Sequence, residues 1–197
     1  MTNVLLVLTS AASLGGHPTG VWLEEFTVPL HAFHAAGFTV DVASVLGGTP
    51  PIDPASGSGG PRDTLALAEV DPTAYDAVLL VGGHGAMADF PDNPALAEVL
   101  RNTDVVAAVC HGSAGLLNVP ELVDGKVVTV FSDSEETAAG AAAIIPFSLA
   151  RKMVELGANV EAGDPFTSSV RQDGKLLTGQ NPQSSGALAD LVVRALR

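Results

Sequence analysis

Cys110 ends an apolar run, Val105-Val106-Ala107-Ala108-Val109, and is followed by His111-Gly112-Ser113-Ala114-Gly115. The pattern predicts a strand-turn-helix elbow. Small residues admit a tight turn, and the following helix aims its free N–H groups and positive dipole end at the sulfur, favouring thiolate over thiol. Such a sulfur is a nucleophile, and the same backbone amides can hold an oxyanion formed when a carbonyl is attacked. The competing reading makes Cys110 a small buried hydrophobe, the usual fate of a lone free cysteine. As the chain's single cysteine, it excludes an internal disulfide and a cysteine-cluster zinc site.

Two other stretches belong to the same chemistry if the chain is wound as a parallel sheet, because the carboxyl ends of parallel strands share one edge. Val81-Gly82-Gly83-His84-Gly85 follows one predicted strand, and Gly83 can bring its amide close to a substrate oxygen. Alone, a Gly-Gly pair after a strand marks a turn, and His84 then sits in solvent. Thr19-Gly20-Val21-Trp22-Leu23-Glu24-Glu25-Phe26 follows the first predicted strand and opens a helix. Glu24 and Glu25 point about 100° apart on that helix, so one of them can face the crevice. Their plain role is to stabilise a helix start. A carboxylate pressed against a thiolate is a like-charge pair that shares a proton, and the shared proton can be exchanged with substrate.

The elements that must hold these groups are legible as alternating patterns. Asn3 to Leu8, Phe38 to Val45, Asp76 to Val81 and Asp104 to Val109 are short apolar runs suited to strands buried on both faces. Helical spacing covers Val21 to Ala36, where Pro29 predicts a kink or a break into two pieces, and Pro94 to Arg101, capped by Asn93. Val127 to Phe131 reads as a further strand and Ile145 to Leu156 as a helix stopped by Gly157. Ser168 to Thr178 flanks Asp173-Gly174 as a β-hairpin, and Ser184 to Leu196 closes the chain as a helix. Gly47 to Pro61, rich in Gly, Pro and Ser, reads as a surface or rim loop. The expected fold is α/β: one domain over 1–197 with a doubly wound, mostly parallel, flavodoxin-like sheet, helices on both faces and a late hairpin.

Composition narrows the function. With 22 acidic and 9 basic residues the net charge is −13, the first cation is Arg62, and no basic face exists for a phosphate backbone, so no nucleic-acid partner is expected. No apolar run approaches the roughly 20 residues that span a bilayer, and the N-terminus lacks the cationic flank of a signal peptide, so the expectation is a cytoplasmic protein without a membrane partner.

Taken together, Thr19 to Glu25, Gly82-Gly83-His84-Gly85-Ala86-Met87-Ala88-Asp89-Phe90-Pro91-Asp92, Ala108-Val109-Cys110-His111-Gly112 and Leu177-Thr178-Gly179-Gln180-Asn181-Pro182 resemble the PfpI / parkinsonism-associated deglycase superfamily, which is related to class I glutamine amidotransferase domains. The resemblance covers nearly the whole chain and is nearest to the glutathione-independent glyoxalase branch, the heat-shock-protein-31-like proteins. It implies Cys110 as nucleophile, His111 as its histidine, Glu25 as the acid beside the elbow, and the N–H groups of Gly83 and His111 as oxyanion donors. His84, Asp133 and Glu136 are auxiliary candidates, the last two as acids that orient the histidine. The superfamily often carries Pro at the position of Ser113 and Trp at that of Ala88. The first change alters elbow stiffness, and the second is expected to widen the pocket mouth.

The reaction implied is conversion of a 2-oxoaldehyde such as methylglyoxal to a 2-hydroxy acid without glutathione, metal or other cofactor, a lyase activity tied to stress response. A homodimer is implied as well. Two other classes use the same residues. A holding chaperone or redox sensor would oxidise Cys110 rather than use it in turnover. An amide or peptide hydrolase needs a well-placed acid for the leaving amine, and adjacency to Cys110 leaves open whether the His111 ring reaches the sulfur. His17, His31, His34, His84 and His111 lack a tight ligand spacing, and His31 with His34 read as solvated helix positions, so no metal site is expected.

Overall fold

The computed structural model describes residues 1–197. In chain order it contains β1 (Asn3–Leu8), β2 (Ser13–Leu14), β3 (His17–Pro18), α1 (Leu23–Ala35), β4 (Thr39–Ser44), β5 (Leu65–Ala66), β6 (Ala77–Leu80), α2 (Ala86–Asp89) and α3 (Pro94–Asn102). Then follow β7 (Val105–Val109), β8 (Val127–Val128), α4 (Asp133–Ala138), α5 (Leu149–Glu155), β9 (Asn159–Val160), β10 (Val170–Asp173), β11 (Leu176–Gly179) and α6 (Ser185–Ala195). Seven strands form one sheet in the order β10-β11-β7-β6-β1-β4-β5. Every neighbouring pair is parallel except the β10–β11 hairpin, which turns at Gly174 with φ 64°.

Successive side chains of a strand point to opposite faces, so the apolar runs of β1, β6 and β7 feed two cores. Leu5, Val78, Leu80 and Val106 pack on one face with Leu96 and Leu100 of α3 and Leu149 and Met153 of α5. Leu6, Leu79, Ala107 and Val109 pack on the other with Phe26 and Phe33 of α1 and Leu188 and Val192 of α6. Strands buried on both sides need no alternation of polar and apolar residues, which is why they appear in the sequence as continuous runs.

The order of the strands reverses between β1 and β6: the chain leaves β1 toward β4 and β5, then returns to its other side. A crevice opens at such a switch point, at the carboxyl ends of the strands. The start of α1, the turn after β6 and the elbow after β7 all meet there.

Four expectations need correction. Pro29 lies inside α1 without dividing it; the helix runs unbroken through thirteen residues, with Phe26, Pro29 and Phe33 buried along one face, and that packing outweighs the lost hydrogen bond. Only Val127 and Val128 of the Val127 to Phe131 run are strand, and they pair with β9 in a separate two-stranded sheet. The helix expected from Ile145 starts at Leu149, capped by the Ser148 hydroxyl, because Pro146 biases the residue before it away from helical geometry. The segment after Cys110 is a 3₁₀ helix, Cys110–Asn118. Its tighter coil lets Gly112 press against the Leu80 backbone, where a Cβ would overlap the Leu80 carbonyl.

Candidate active site

Val109 completes β7 in extended geometry, and Cys110 then takes φ 54°, a left-handed conformation that side chains rarely adopt. This reversal decides the geometry. In a helix, consecutive side chains diverge, but with the backbone turned at Cys110 the ring of His111 comes back to the sulfur, Nδ1 standing 3.3 Å from Sγ. The other ring nitrogen, Nε2, is 2.6 Å from Glu136 Oε1. Glu136 comes from the first turn of α4, where Ser132 and Glu135 form a reciprocal cap. Its second oxygen, Oε2, lies 3.0 Å from Nε2 of His84, whose ring packs 4.0 Å from that of His111, centroid to centroid.

The charges follow from the surroundings. Burial drives the Glu136 carboxyl up, but hydrogen bonds from His111 and His84 more than offset it and hold the group at about 2, so it is an anion. Burial pulls His111 below its usual value despite that anion, so the ring is neutral at pH 7. A neutral ring donating to a carboxylate carries its proton on Nε2, which leaves the Nδ1 lone pair facing the thiol.

Glu24 is exposed and Glu25 is fully buried, so the pair divides as helical geometry requires. Glu25 lies against Gly82 and Cys110; a Cβ on Gly82 would collide with Glu25 Oε2, the Val109 carbonyl and the Cys110 Cβ. Neither Glu25 oxygen has a partner in ordinary hydrogen-bond geometry. Burial raises its carboxyl to about 8, with the nearby Cys110 thiol and Gly82 amide offsetting part of the rise, so at neutral pH it holds its proton. Cys110 is pushed well above the ordinary thiol range by burial and by the proximity of Glu25, although the His111 amide acts in the opposite direction. The resting sulfur is therefore a thiol, not the thiolate that an elbow at a helix start leads one to expect. Desolvation outweighs the amide and the dipole.

Cys110 is 4% exposed, yet it lines a cavity of about 130 Å³ together with Trp22, Gly83, His84, His111 and Phe131. An outer pocket of about 400 Å³ shares Trp22, His84 and Ala139 with it. Gly83, at φ 108°, has no room for a Cβ because the Gly20 carbonyl and the Trp22 amide pack against it. The turn is glycine by necessity.

Of the two acids expected to orient the histidine, Glu136 does so and Asp133 does not. Asp133 accepts from Ser148 Oγ at 2.5 Å and pairs with exposed Arg151 at 3.4 Å. Ala88 is exposed and lines neither cavity. Ser113 is fully buried with its hydroxyl unpartnered. His17, His31 and His34 are exposed and stand apart from the cluster. His84, His111 and Glu136 each offer a ligand atom within 4.8 Å of the others, a grouping that no sequence spacing announces. Their mutual hydrogen bonds account for it without an ion. Glu135, unremarked in the sequence, is buried and fully partnered; the Ser132-x-x-Glu135 capping signature was the signal that could have found it.

The DJ-1/PfpI family profile matches residues 18–195. The chain belongs to the DJ-1/PfpI family. Among its relatives in that family, Glyoxalase 3 of Candida albicans is 29% identical across 99% of this chain and 98% of the relative. Glutathione-independent glyoxalase HSP31 of Saccharomyces cerevisiae is 30% identical across 99% and 98%. Solved structures that the chain resembles include the Francisella tularensis Rapid Encystment Protein 24 kDa, with TM-score 0.93, 32% identity and full coverage of both chains. Candida albicans glyoxalase III superposes with TM-score 0.90 at 28% identity, covering 100% and 98%. These likenesses extend along the whole alternating sheet.

Proposed function

We propose that this DJ-1/PfpI protein is a glutathione-independent glyoxalase that converts a small neutral 2-oxoaldehyde, such as methylglyoxal, to the 2-hydroxy acid. The observation that carries the reading is the protonated, buried Glu25 beside the Cys110 sulfur. A thiol with His111 and Glu136 suits many acyl transfers; a second acid poised at the same sulfur supplies the proton movement that an isomerisation needs.

His111 Nδ1 takes the Cys110 proton as the sulfur adds to the aldehyde carbon, and the aldehyde oxygen becomes the hydroxyl of a hemithioacetal. Glu136 compensates the imidazolium that forms. The proton on that carbon is then removed, giving an enediolate, and a proton is returned to the neighbouring carbon, with Glu25 and His111 as the groups within reach. The amides of Gly83 and His111 stabilise the oxyanion. The product of this transfer is a thioester, which water hydrolyses to the hydroxy acid and free Cys110. The net change is addition of one water, with no external oxidant or reductant.

Supporting features separate this from the alternatives. The cavity of about 130 Å³ fits a molecule of a few heavy atoms rather than a polypeptide segment. A buried thiol with a raised pKa is the reverse of the exposed, acidic thiol that suits a redox sensor. No helix is long and apolar enough to cross a membrane. The compartment that belongs to this reading is the cytoplasm, checked by cell fractionation. The homodimer implied by the resemblance belongs to it as well and is checked by sedimentation. The enzymatic test supplies methylglyoxal without glutathione and assays lactate: wild type forms it, Cys110→Ala does not, and equal turnover in both would overturn the mechanism.

A further inference from the structure

We propose that Phe166 sets the size of the aldehyde substituent the cavity accepts, and that Glu135 is the residue that positions it. The proposal rests on the glyoxalase reading for its substrate, while its geometry stands by itself.

Glu135 is fully buried and adjacent to Glu136 on α4, but its hydrogen bonds go elsewhere than to the His111 ring. Its Oε2 accepts from Ser132 N at 3.0 Å, Ser132 Oγ at 2.8 Å and Gln180 Nε2 at 3.0 Å. Its Oε1 accepts from Asn181 Nδ2 at 2.7 Å and from the Phe166 amide at 2.9 Å. A buried carboxylate saturated with donors is a strong anchor, because removing the acceptor orphans every donor at once. What it anchors is a loop. The Gly163 amide donates to Gln180 Oε1 at 2.7 Å, Asn181 Nδ2 also donates to the Thr167 carbonyl at 2.8 Å, and the Ser169 amide donates to Ser184 Oγ at 3.0 Å. The chemistry at Cys110 makes no use of Gln180-Asn181; those two residues clamp the loop against α4.

At its centre Phe166 takes φ 55°, strained for an aromatic residue, and the residue is 44% exposed. Its ring nevertheless lines the Cys110 cavity and meets Phe131 edge-on at 6.4 Å. Neither burial nor backbone preference accounts for an aromatic residue held there. With Trp22, Phe131 and Pro182 it makes an apolar wall, of whose three aromatics it is the most exposed. A substituent larger than methyl on the 2-oxoaldehyde would meet this ring.

The experiment compares wild type, Phe166→Ala, Phe166→Leu and Glu135→Gln in the full chain. Turnover is measured with methylglyoxal and with phenylglyoxal, and alkylation of Cys110 with iodoacetamide and with the bulkier N-ethylmaleimide, followed by mass; the single cysteine makes the second readout unambiguous. Phe166→Ala raises the phenylglyoxal-to-methylglyoxal ratio of kcat/KM by about tenfold or more, and the maleimide-to-iodoacetamide ratio moves the same way. Phe166→Leu and Glu135→Gln shift both ratios in that direction by smaller factors. A purely structural role lowers kcat for both aldehydes alike and leaves the ratios in place, which overturns the proposal. Absence of aldehyde turnover in wild type with a responsive alkylation ratio removes the glyoxalase reading and retains the size filter. Turnover with unmoved ratios does the reverse.

Discussion

His111 Nδ1 stands 3.3 Å from the sulfur of Cys110 although the two residues are consecutive. The approach depends on the left-handed backbone at Cys110, φ 54°, and on the carboxylate of Glu136 holding the far side of the ring at 2.6 Å. The placement of the imidazole against the thiol is therefore a property of the elbow and of α4 together.

Replacing Glu136 by Gln removes the anion that fixes the tautomer. The expected loss in kcat is about 10²- to 10⁴-fold, with a slower reaction of Cys110 toward iodoacetamide, both measured near pH 7. Asp133→Asn, whose partners are Ser148 and Arg151, is expected to leave kcat unchanged. Equal losses in the two variants would show that the cluster has been assigned to the wrong acid.

Glu25→Gln keeps the shape but cannot exchange a proton, and kcat is expected to fall by about 10²- to 10⁴-fold. The wild-type rate declines as pH rises through about 8, where Glu25 loses its proton, and the glutamine variant lacks that limb. A variant with the same alkaline limb would place the titrating group elsewhere.

The same carboxyl has a stability signature of known sign. Its pKa is about 8 folded and 4.5 unfolded, so the native state binds more protons between those values and Glu25 erodes stability as pH rises across that window. At pH 9 Glu25→Gln is expected to melt higher than wild type, by the equivalent of a few kcal/mol, because each tenfold difference in proton affinity between the folded and unfolded chain is worth about 1.4 kcal/mol. The advantage shrinks toward pH 5. Thermal melts of the two proteins across this range check it; a constant difference in Tm would contradict it.

Gly83→Ala adds a methyl group where the Gly20 carbonyl already sits, at φ 108°. The cost is expected to reach about 3 kcal/mol, combining backbone strain with overpacking, read as a lowered midpoint in urea.

No lysine or arginine lines the Cys110 cavity, and Glu136 lies behind its histidines as an anion. Anionic aldehydes such as glyoxylate are expected to be turned over at least about 100-fold less efficiently than methylglyoxal. Comparable kcat/KM values would require a cation that the wall does not contain.

Much of the architecture was legible because it rests on local rules: β1, β6 and β7 are continuous apolar runs, Asn93 caps α3, and Asp173-Gly174 turns the hairpin, whereas β4 alternates, with Thr39 and Asp41 exposed, and is not buried on both faces as its run suggested. That one of Glu24 and Glu25 faces the crevice was legible from helical geometry; that it is Glu25 came from the family resemblance. What escaped depends on long-range placement. Val127 to Phe131 has strand composition but forms only a two-residue strand that pairs with β9 outside the main sheet, and only α4's docking decides that Glu136 rather than Asp133 meets His111. Local pattern also misjudged the thiol, since the dipole and amide are visible in sequence while full burial beside a second acid is not. Glu135 eluded a reading for chemistry because its partners Gln180 and Asn181 lie 45 and 46 positions away.

The chain holds one sulfhydryl. A sulfenic acid formed on Cys110 has no neighbouring thiol in the same chain with which to condense, so rescue must come from a diffusible thiol or from another protein small enough in its reach to enter the crevice. The small cavity that leaves the sulfur only 4% exposed also slows any such repair, and the lifetime of an oxidised molecule is set by what can get in.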